Sequence, residues 1–342
     1  MSTLLLSTWG SYGDLFPYLA LAIRLKQLGH VPIVATCPFY RDIVERAGVG
    51  FRPVPPDVNP TNAALLARVM DPARGSEVVV RELAAAHVRA AFDATRAAAR
   101  DADAIVTHPV AFAGPLVARV LGRPWLSVAL APTTFFSIHD LPLLPPTPGL
   151  MRLMRSTTVT ARAFMGLARR LTRSWTAPVR ELARELKLPD TGDPLYEGQF
   201  SSFGTLALYS PVLGGPQPDW PPHTTITGFV FHDQQPTIDA DLQAFLDDGE
   251  PPIVFTLGSS AVGAPGAFYD ESTRAAEALG RRAVLLVGKY SAAPIGPRAR
   301  GVFAAAYAPH AALFARAAAV VHHGGVGTLA QALRAGRPML VV

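Results

Sequence analysis

The chain has 342 residues, 49% of them hydrophobic and 17% charged, with a net charge of +5 and a pI near 9.6. That much apolar material builds a substantial core and excludes a disordered chain. A single cysteine, Cys37, excludes an internal disulfide and suits a reducing, cytoplasmic setting, and the absence of a Lys/Arg run or an aromatic-interleaved basic stripe excludes a nucleic-acid partner. The diffuse positive excess suits phosphorylated small molecules, and it allows peripheral contact with an anionic membrane surface.

Taken in order, short apolar runs at 4–8, 33–36, 105–107 and 126–129 alternate with helical stretches at 15–28, 40–47, 77–99 and 112–120. Unbroken apolar strands separated by helices predict a parallel sheet covered on both faces. The first run has no charged region before it and is strand-length, so it reads as a core strand and not a signal peptide. No apolar stretch of about 18 residues is present to span a membrane. Residues 132–149 break the pattern with prolines, Phe135, Phe136 and several leucines, which predicts a long apolar loop. Helix returns over 159–186 with Pro178 as a break, and a strand follows at 206–209. A polar stretch at 231–236 and a short helix opened by Asp239 and Asp241 precede a second alternation. Its strands fall at 253–257, 284–287, 302–304, 319–322 and 339–342, and its helices at 268–279, 310–314 and 328–335. The domains are therefore placed at 1–235 and 236–342. Val342 falls inside a strand, which predicts a second domain that is incomplete.

Four segments carry candidate chemistry. In Gly10-Ser11-Tyr12-Gly13-Asp14, a strand-to-helix turn sets Asp14 at the carboxyl edge of the sheet, where ligands bind; capping of the helix is the equal alternative. In His322-His323-Gly324-Gly325-Val326-Gly327-Thr328, three glycines let the backbone approach a ligand, and the helix beginning near Thr328 aims its N–H groups at that ligand. A diphosphate is the natural occupant, and a plain tight turn is the weaker reading. Adjacent strand side chains point to opposite faces, so His322 and His323 do not share a metal ion. Ser259 and Ser260, after the first strand of the second domain, offer hydroxyls to the same ligand or form a polar turn. Tyr307 ends another strand, where an aromatic either stacks on a base or packs into the structure. The triplets Asp101-Ala102-Asp103 and Asp239-Ala240-Asp241 read as solvated helix caps, not metal sites.

Together these residues resemble glycosyltransferase family 1. The motif G-S-x-G-D-x-x-P at Gly10–Pro17 with Leu28-Gly29-His30 is similar to the family's opening. The motif H-H-G-G-x-G-T at His322–Thr328 followed by Ala332-Leu333-Arg334-Ala335-Gly336 is similar to its donor signature. Asp219-Trp220-Pro221, Thr227-Gly228-Phe229 and Val254–Ser259 look most like the rhamnosyltransferases of rhamnolipid synthesis. The resemblance implies the GT-B fold, with two Rossmann-like domains facing across a cleft, the first for the acceptor and the second for the nucleotide sugar. It implies inverting transfer without metal or resident cofactor, from a nucleoside-diphosphate sugar to a small hydrophobic acceptor.

On that resemblance Asp14 stands where many members carry a histidine base. His322 corresponds to the ligand of the diphosphate, with Gly325, Val326, Gly327 and Thr328 supplying amides. Ser259 and Ser260 also meet phosphate, and Tyr307 lies over the nucleobase. Relatives continue past Pro338 to an Asp-Gln pair that holds the sugar hydroxyls. The apolar loop 133–150 suggests a hydroxy-acyl lipid or an aromatic or polyketide aglycone as acceptor, although a packing loop has the same composition. A nucleotide-sugar epimerase, a non-catalytic partner and a Rossmann dehydrogenase are the rival classes. The dehydrogenase is disfavoured by the missing third glycine after Gly13.

Overall fold

The computed structural model describes residues 1–59, 62–142, 148–232, 237–258, 261–289 and 295–342. The chain divides into two α/β units. One comprises Met1–Gly10, Asp14–Asn59 and Asp71–His232; the other comprises Ser11–Gly13, Pro60–Met70 and Asp233–Val342. The boundary expected at residue 235 falls outside the described residues.

The first unit is built on seven strands: β1 (Thr3–Ser7), β2 (Val31–Thr36), β3 (Gly50–Pro53), β4 (Ala104–Thr107), β5 (Trp125–Ala129), β6 (Thr205–Ala207) and β7 (Thr224–Ile226). They pair in the order β3-β2-β1-β4-β5-β6-β7, every pair parallel. Central β1 sets Leu5 beside Ile33 and Ile105. Leu5, Leu6, Val34 and Ile105 are buried, as the continuous apolar runs require of a sheet covered on both faces. The edge strands β3 and β7 were not read from the sequence because GFRP and TTI expose most of their residues and carry no apolar run.

Two helical stretches differ from expectation. The segment expected as one helix over 77–99 holds a π-helix at Val78–Ala85 and an α-helix at Val88–Ala98. His87 lies between them, and its Nδ1 donates to the Leu83 carbonyl at 2.8 Å, a side-chain insertion into the helical ladder. The segment 159–186 forms helices Thr158–Thr172 and Ala177–Glu185. Pro178 sits in the first turn of the second helix, where its missing N–H costs nothing, so the break falls ahead of the proline.

The second unit carries β8 (Ile253–Thr256), β9 (Ala283–Leu286), β10 (Gly296–Ala299), β11 (Val302–Ala305), β12 (Ala319–His322) and β13 (Met339–Val341), in the order β10-β11-β9-β8-β12-β13. All pairs are parallel except β10 with β11. This antiparallel edge strand, with Pro297 and Arg298 at its centre, is not among the strands read from the sequence. Alternating residues feed two cores. Val254, Val284, Val320, Leu313 and Phe314 pack on one face; Phe255, Leu285, Val287 and Tyr269 pack on the other.

Candidate active site

In the first unit the chain runs from β1 outward to β3, returns, and then runs from β4 outward to β7. Crossovers therefore part between β1 and β4, and ligands bind at the carboxyl ends of strands at such a switch point. β1 ends at Ser7 and β4 at Thr107, so the segments leaving this point carry Asp14 and His108. The structure brings them together, with His108 Nε2 3.2 Å from Asp14 Oδ1. An ionised carboxylate only accepts, so Nε2 carries the imidazole proton in this contact. His108 Nδ1 is buried and has no hydrogen-bond partner among the described residues. The Asp14 side chain is 31% exposed and that of His108 is 8% exposed, so the carboxylate stands in front and the imidazole behind.

Asp14 lies in the first turn of helix Tyr12–Gln27, where the helix N-terminus favours a negative charge. Gly10 makes room for it. With φ at +133°, Gly10 holds a conformation that side chains rarely adopt, and a Cβ there would lie 2.3 Å from Asp14 Oδ2. Tyr40 Oη donates to the Gly10 carbonyl at 2.9 Å, and Thr8 Oγ1 donates to the Asp14 carbonyl at 3.1 Å. Burial, and then the negative charge of Asp14, push the Tyr18 phenol well above its usual range. At the same edge a small cavity of about 20 Å³ is lined by Thr8, Trp9, Thr95 and Phe112. Trp9 Nε1 and Thr95 Oγ1 are buried there without a partner among the described residues.

The second sheet has its switch point between β8 and β12. Ser259 and Ser260, after β8, lie outside the described residues. After β12, helix Val326–Arg334 begins two residues earlier than expected, with Gly325 at its N-cap position. Leu329 N–H makes the first helical bond, to the Gly325 carbonyl at 2.9 Å. The N–H groups of Val326, Gly327 and Thr328 lie ahead of it, at the positive end of the helix.

His322 and His323 have different surroundings, as adjacent strand residues should. His322 is fully buried at the end of β12. Gly324 N–H donates to its Nδ1 at 3.1 Å, which places the ring proton on Nε2. That Nε2 is buried with no partner among the described residues. The His323 ring is wedged between two loops. A Cβ on Gly258 would lie 2.5 Å from its Cε1, and one on Gly325 2.7 Å from its Cε1. His310, which opens the helix His310–Phe314, completes a group of three imidazoles. Burial first, and then His322 and His323, push its pKa down to about 4. Burial also lowers His322, with His323 adding to the effect, and lowers His323. The three rings are neutral at pH 7.

Tyr307, beyond β11, is 52% exposed, and Lys289 Nζ sits 4.7 Å from its ring centroid. It lies three strand positions from β12, about 14 Å at ~4.8 Å per strand. Asp103 accepts the Thr3 N–H at 2.8 Å and Asp239 caps helix Ala240–Asp247, so neither triplet faces a strand's carboxyl end. Among the described residues no group of three or more His, Cys, Asp or Glu side chains is placed to hold a metal ion.

The described part of the apolar loop, 132–142, is packed down. Phe135 stacks on Trp220 at 4.1 Å and on Phe200 at 5.7 Å. Asp219 accepts from Ser137 Oγ at 2.6 Å and from Ile138 N–H at 2.8 Å. Phe135 thus belongs to a core cluster with Ala129, Ala207 and Tyr209, as the packing-loop alternative has it for this residue. Residues 143–147 of that loop lie outside the described residues. His108, Lys289 and His310 were not singled out from the sequence. For His108 a signal was present in the topology, since it directly follows the strand that flanks β1 in a Rossmann strand order.

A model of the "Glycosyltransferase family 28 N-terminal domain" matches residues 4–138. Family 1, expected from the motifs, is not the family of that model. The chain is 32% identical over 353 residues to O-mycaminosyltylonolide 6-deoxyallosyltransferase of Streptomyces fradiae, covering 98% of this chain and 79% of that protein. It is 32% identical over 345 residues to glycosyltransferase GtfC of Amycolatopsis orientalis, covering 99% of this chain and 80% of that protein. The crystal structure of the glycotransferase of kitacinnamycin matches with a TM-score of 0.68 at 19% identity, covering 100% of this chain and 80% of that one. The chain belongs to the glycosyltransferase superfamily and carries the GT-B fold.

Proposed function

We propose that this protein is a family 1-type enzyme that transfers a hexosyl or deoxyhexosyl group, with inversion, from a nucleoside-diphosphate sugar to a hydroxyl of a hydrophobic acceptor. The observation that carries the reading is the Asp14 carboxylate held by His108 at the first switch point. The acceptor oxygen forms its bond to the anomeric carbon as the bond from that carbon to the diphosphate breaks on the opposite face. Asp14 takes the hydroxyl proton. A carboxylate is a weak base toward a hydroxyl and does this late, once positive charge has built up on the sugar and the hydroxyl has become acidic. His108 is the positioning residue, its Nε2–H fixing Oδ1.

The departing diphosphate is met by His322 Nε2–H and by the amides of Val326, Gly327 and Thr328, with Gly325 admitting close approach. These fixed dipoles supply the charge stabilisation that a metal supplies elsewhere. Tyr307 offers a face to the nucleobase, and Ser259 and Ser260 join the phosphate contacts. The first unit takes the acceptor, with the unpartnered Trp9 Nε1 and Thr95 Oγ1 as candidate polar partners for it. The name of the Streptomyces fradiae relative supports transfer to a small-molecule acceptor, since it is named for transfer of a 6-deoxyallosyl group to O-mycaminosyltylonolide.

The test is Asp14→Asn, which keeps shape but removes basicity. Transfer measured by mass spectrometry of the product should fall at least about 100-fold, with nucleoside-diphosphate affinity unchanged. Near-normal turnover would refute the assignment, and conversion of the donor sugar with no acceptor product would favour an epimerase.

A further inference from the structure

Helices Pro148–Met154 and Thr158–Thr172 carry an unusual outer surface. Leu150, Leu153, Val159, Leu167 and Leu171 are each between 49% and 71% exposed. On the longer helix Val159, Ala163, Leu167 and Leu171 follow at intervals of four, so they form one line along it. Ala161 and Met165 are buried on the other side and hold the helix to its own unit. The longer helix is fixed at its start by a capping box of Thr157 and Thr160, so the line is presented on a formed helix.

Charge on this surface is of one sign. Residues 148–173 contain Arg152, Arg155, Arg162, Arg169, Arg170 and Arg173 and no acidic residue. Arg155 pairs with Asp140 and Arg169 with Glu197. Arg152, Arg162, Arg170 and Arg173 are exposed and have no ion-pair partner among the described residues. On the longer helix Arg162 and Arg170 fall along one flank of the apolar line, given about 100° per residue.

A line of leucines flanked by unpaired arginines matches a lipid interface, with apolar groups at the acyl boundary and guanidinium groups among anionic headgroups. A second copy of the chain would bring the same positive charges and repel. At about 1.5 Å per residue the 15-residue helix is about 22 Å long, so it lies along a membrane and does not cross it. No helix among the described residues is long and apolar enough to cross.

We propose that these two helices dock the protein on an anionic membrane surface. The proposal is independent of the transfer reaction, because none of these residues belongs to the site described above.

The test is co-sedimentation of the full chain with vesicles of phosphatidylcholine and phosphatidylglycerol, against vesicles of phosphatidylcholine alone. Binding is expected to the anionic vesicles only, and to be released by 0.5 M salt, roughly as screening requires. Each arginine near such a surface contributes about fivefold to affinity, so Arg162→Ala/Arg170→Ala should bind roughly 25-fold more weakly. Leu167→Ser/Leu171→Ser should bind more weakly too, with the far-ultraviolet circular dichroism of both variants unchanged. Transfer to a water-soluble acceptor should stay at the parent rate in both. The proposal is overturned by equal binding to neutral vesicles, by no binding to either, or by variants that bind as the parent does. Self-association without lipid that the Leu167→Ser/Leu171→Ser variant abolishes would also overturn it, by assigning the face to a second copy.

Discussion

The wedge formed by His323 allows a test of the donor loop that separates packing from backbone strain. Gly325 has φ −58° and ψ 128°, a conformation open to any residue. Gly325→Ala is therefore not penalised by its backbone, unlike substitution at Gly258, where φ is +65°. The new Cβ would lie 2.7 Å from both Cε1 and Nε2 of the His323 ring. Ordinary carbon contacts begin near 3.5 Å, so the ring or the loop must shift by almost 1 Å. Overpacking of this kind costs about 1–3 kcal/mol. Alanine is also a poorer N-cap than glycine, by roughly 0.5–1 kcal/mol, but that term is the same with or without the imidazole. A double-mutant cycle with His323→Ala isolates the clash. His323→Ala should rescue Gly325→Ala, with a coupling of about 1–2 kcal/mol in thermal unfolding and in nucleoside-diphosphate titration. Additive effects would show that the ring does not sit between the loops.

Three further outcomes follow from the two sites. His322→Ala should weaken nucleoside-diphosphate binding by about 1–3 kcal/mol in calorimetry, since Nε2–H is lost as a donor to an anion; a larger loss in His323→Ala would reverse the assignment. His108→Ala should lower kcat by about 10–100-fold by releasing the carboxylate, whereas His108→Gln, which keeps a donor, should recover most of it with an unchanged pH profile; loss of the acid limb in the His108→Gln variant would make His108 the base. Folded His310 takes its proton near pH 4 and an unfolded histidine near 6.5, so unfolding gains protons between these values. Stability is therefore complete above about pH 6.5 and declines toward pH 4 by up to roughly 3 kcal/mol from this group, with smaller parts from His322 and His323. Thermal unfolding of the His310→Gln variant should show a shallower acid limb, and an unchanged limb would refute the cause.

The sheet cores were legible because strands buried on both faces carry short, largely unbroken apolar runs, as β1, β2, β4, β5, β8, β9, β11 and β12 do. Three of the four edge strands were not, since β3, β7 and β10 are half-solvated and carry no apolar run, whereas edge strand β13 was read from its run Met339-Leu340-Val341. Glycine-rich turns before helices marked Asp14 and His322, because a turn of that kind leaves a local trace. His108 left no local trace. Its significance comes from strand order, which sets it beside a residue 94 positions earlier in the chain. The apolar loop shows the limit of composition: Phe135 and Leu141 suit a ligand pocket and a core equally, and the structure buries both.

The neutrality of the three imidazoles bears on turnover. Formal positive charges would hold the whole nucleotide by a long-range force, and would hold the spent diphosphate, with its extra negative charge, more tightly than the intact donor. A loop that works through oriented N–H groups at contact distance acts only on the atoms directly before it. In the proposed reaction, as the sugar departs and negative charge concentrates on the terminal phosphate, that short-range grip strengthens where the new charge appears, without the long-range hold on the whole nucleotide that formal charges would add.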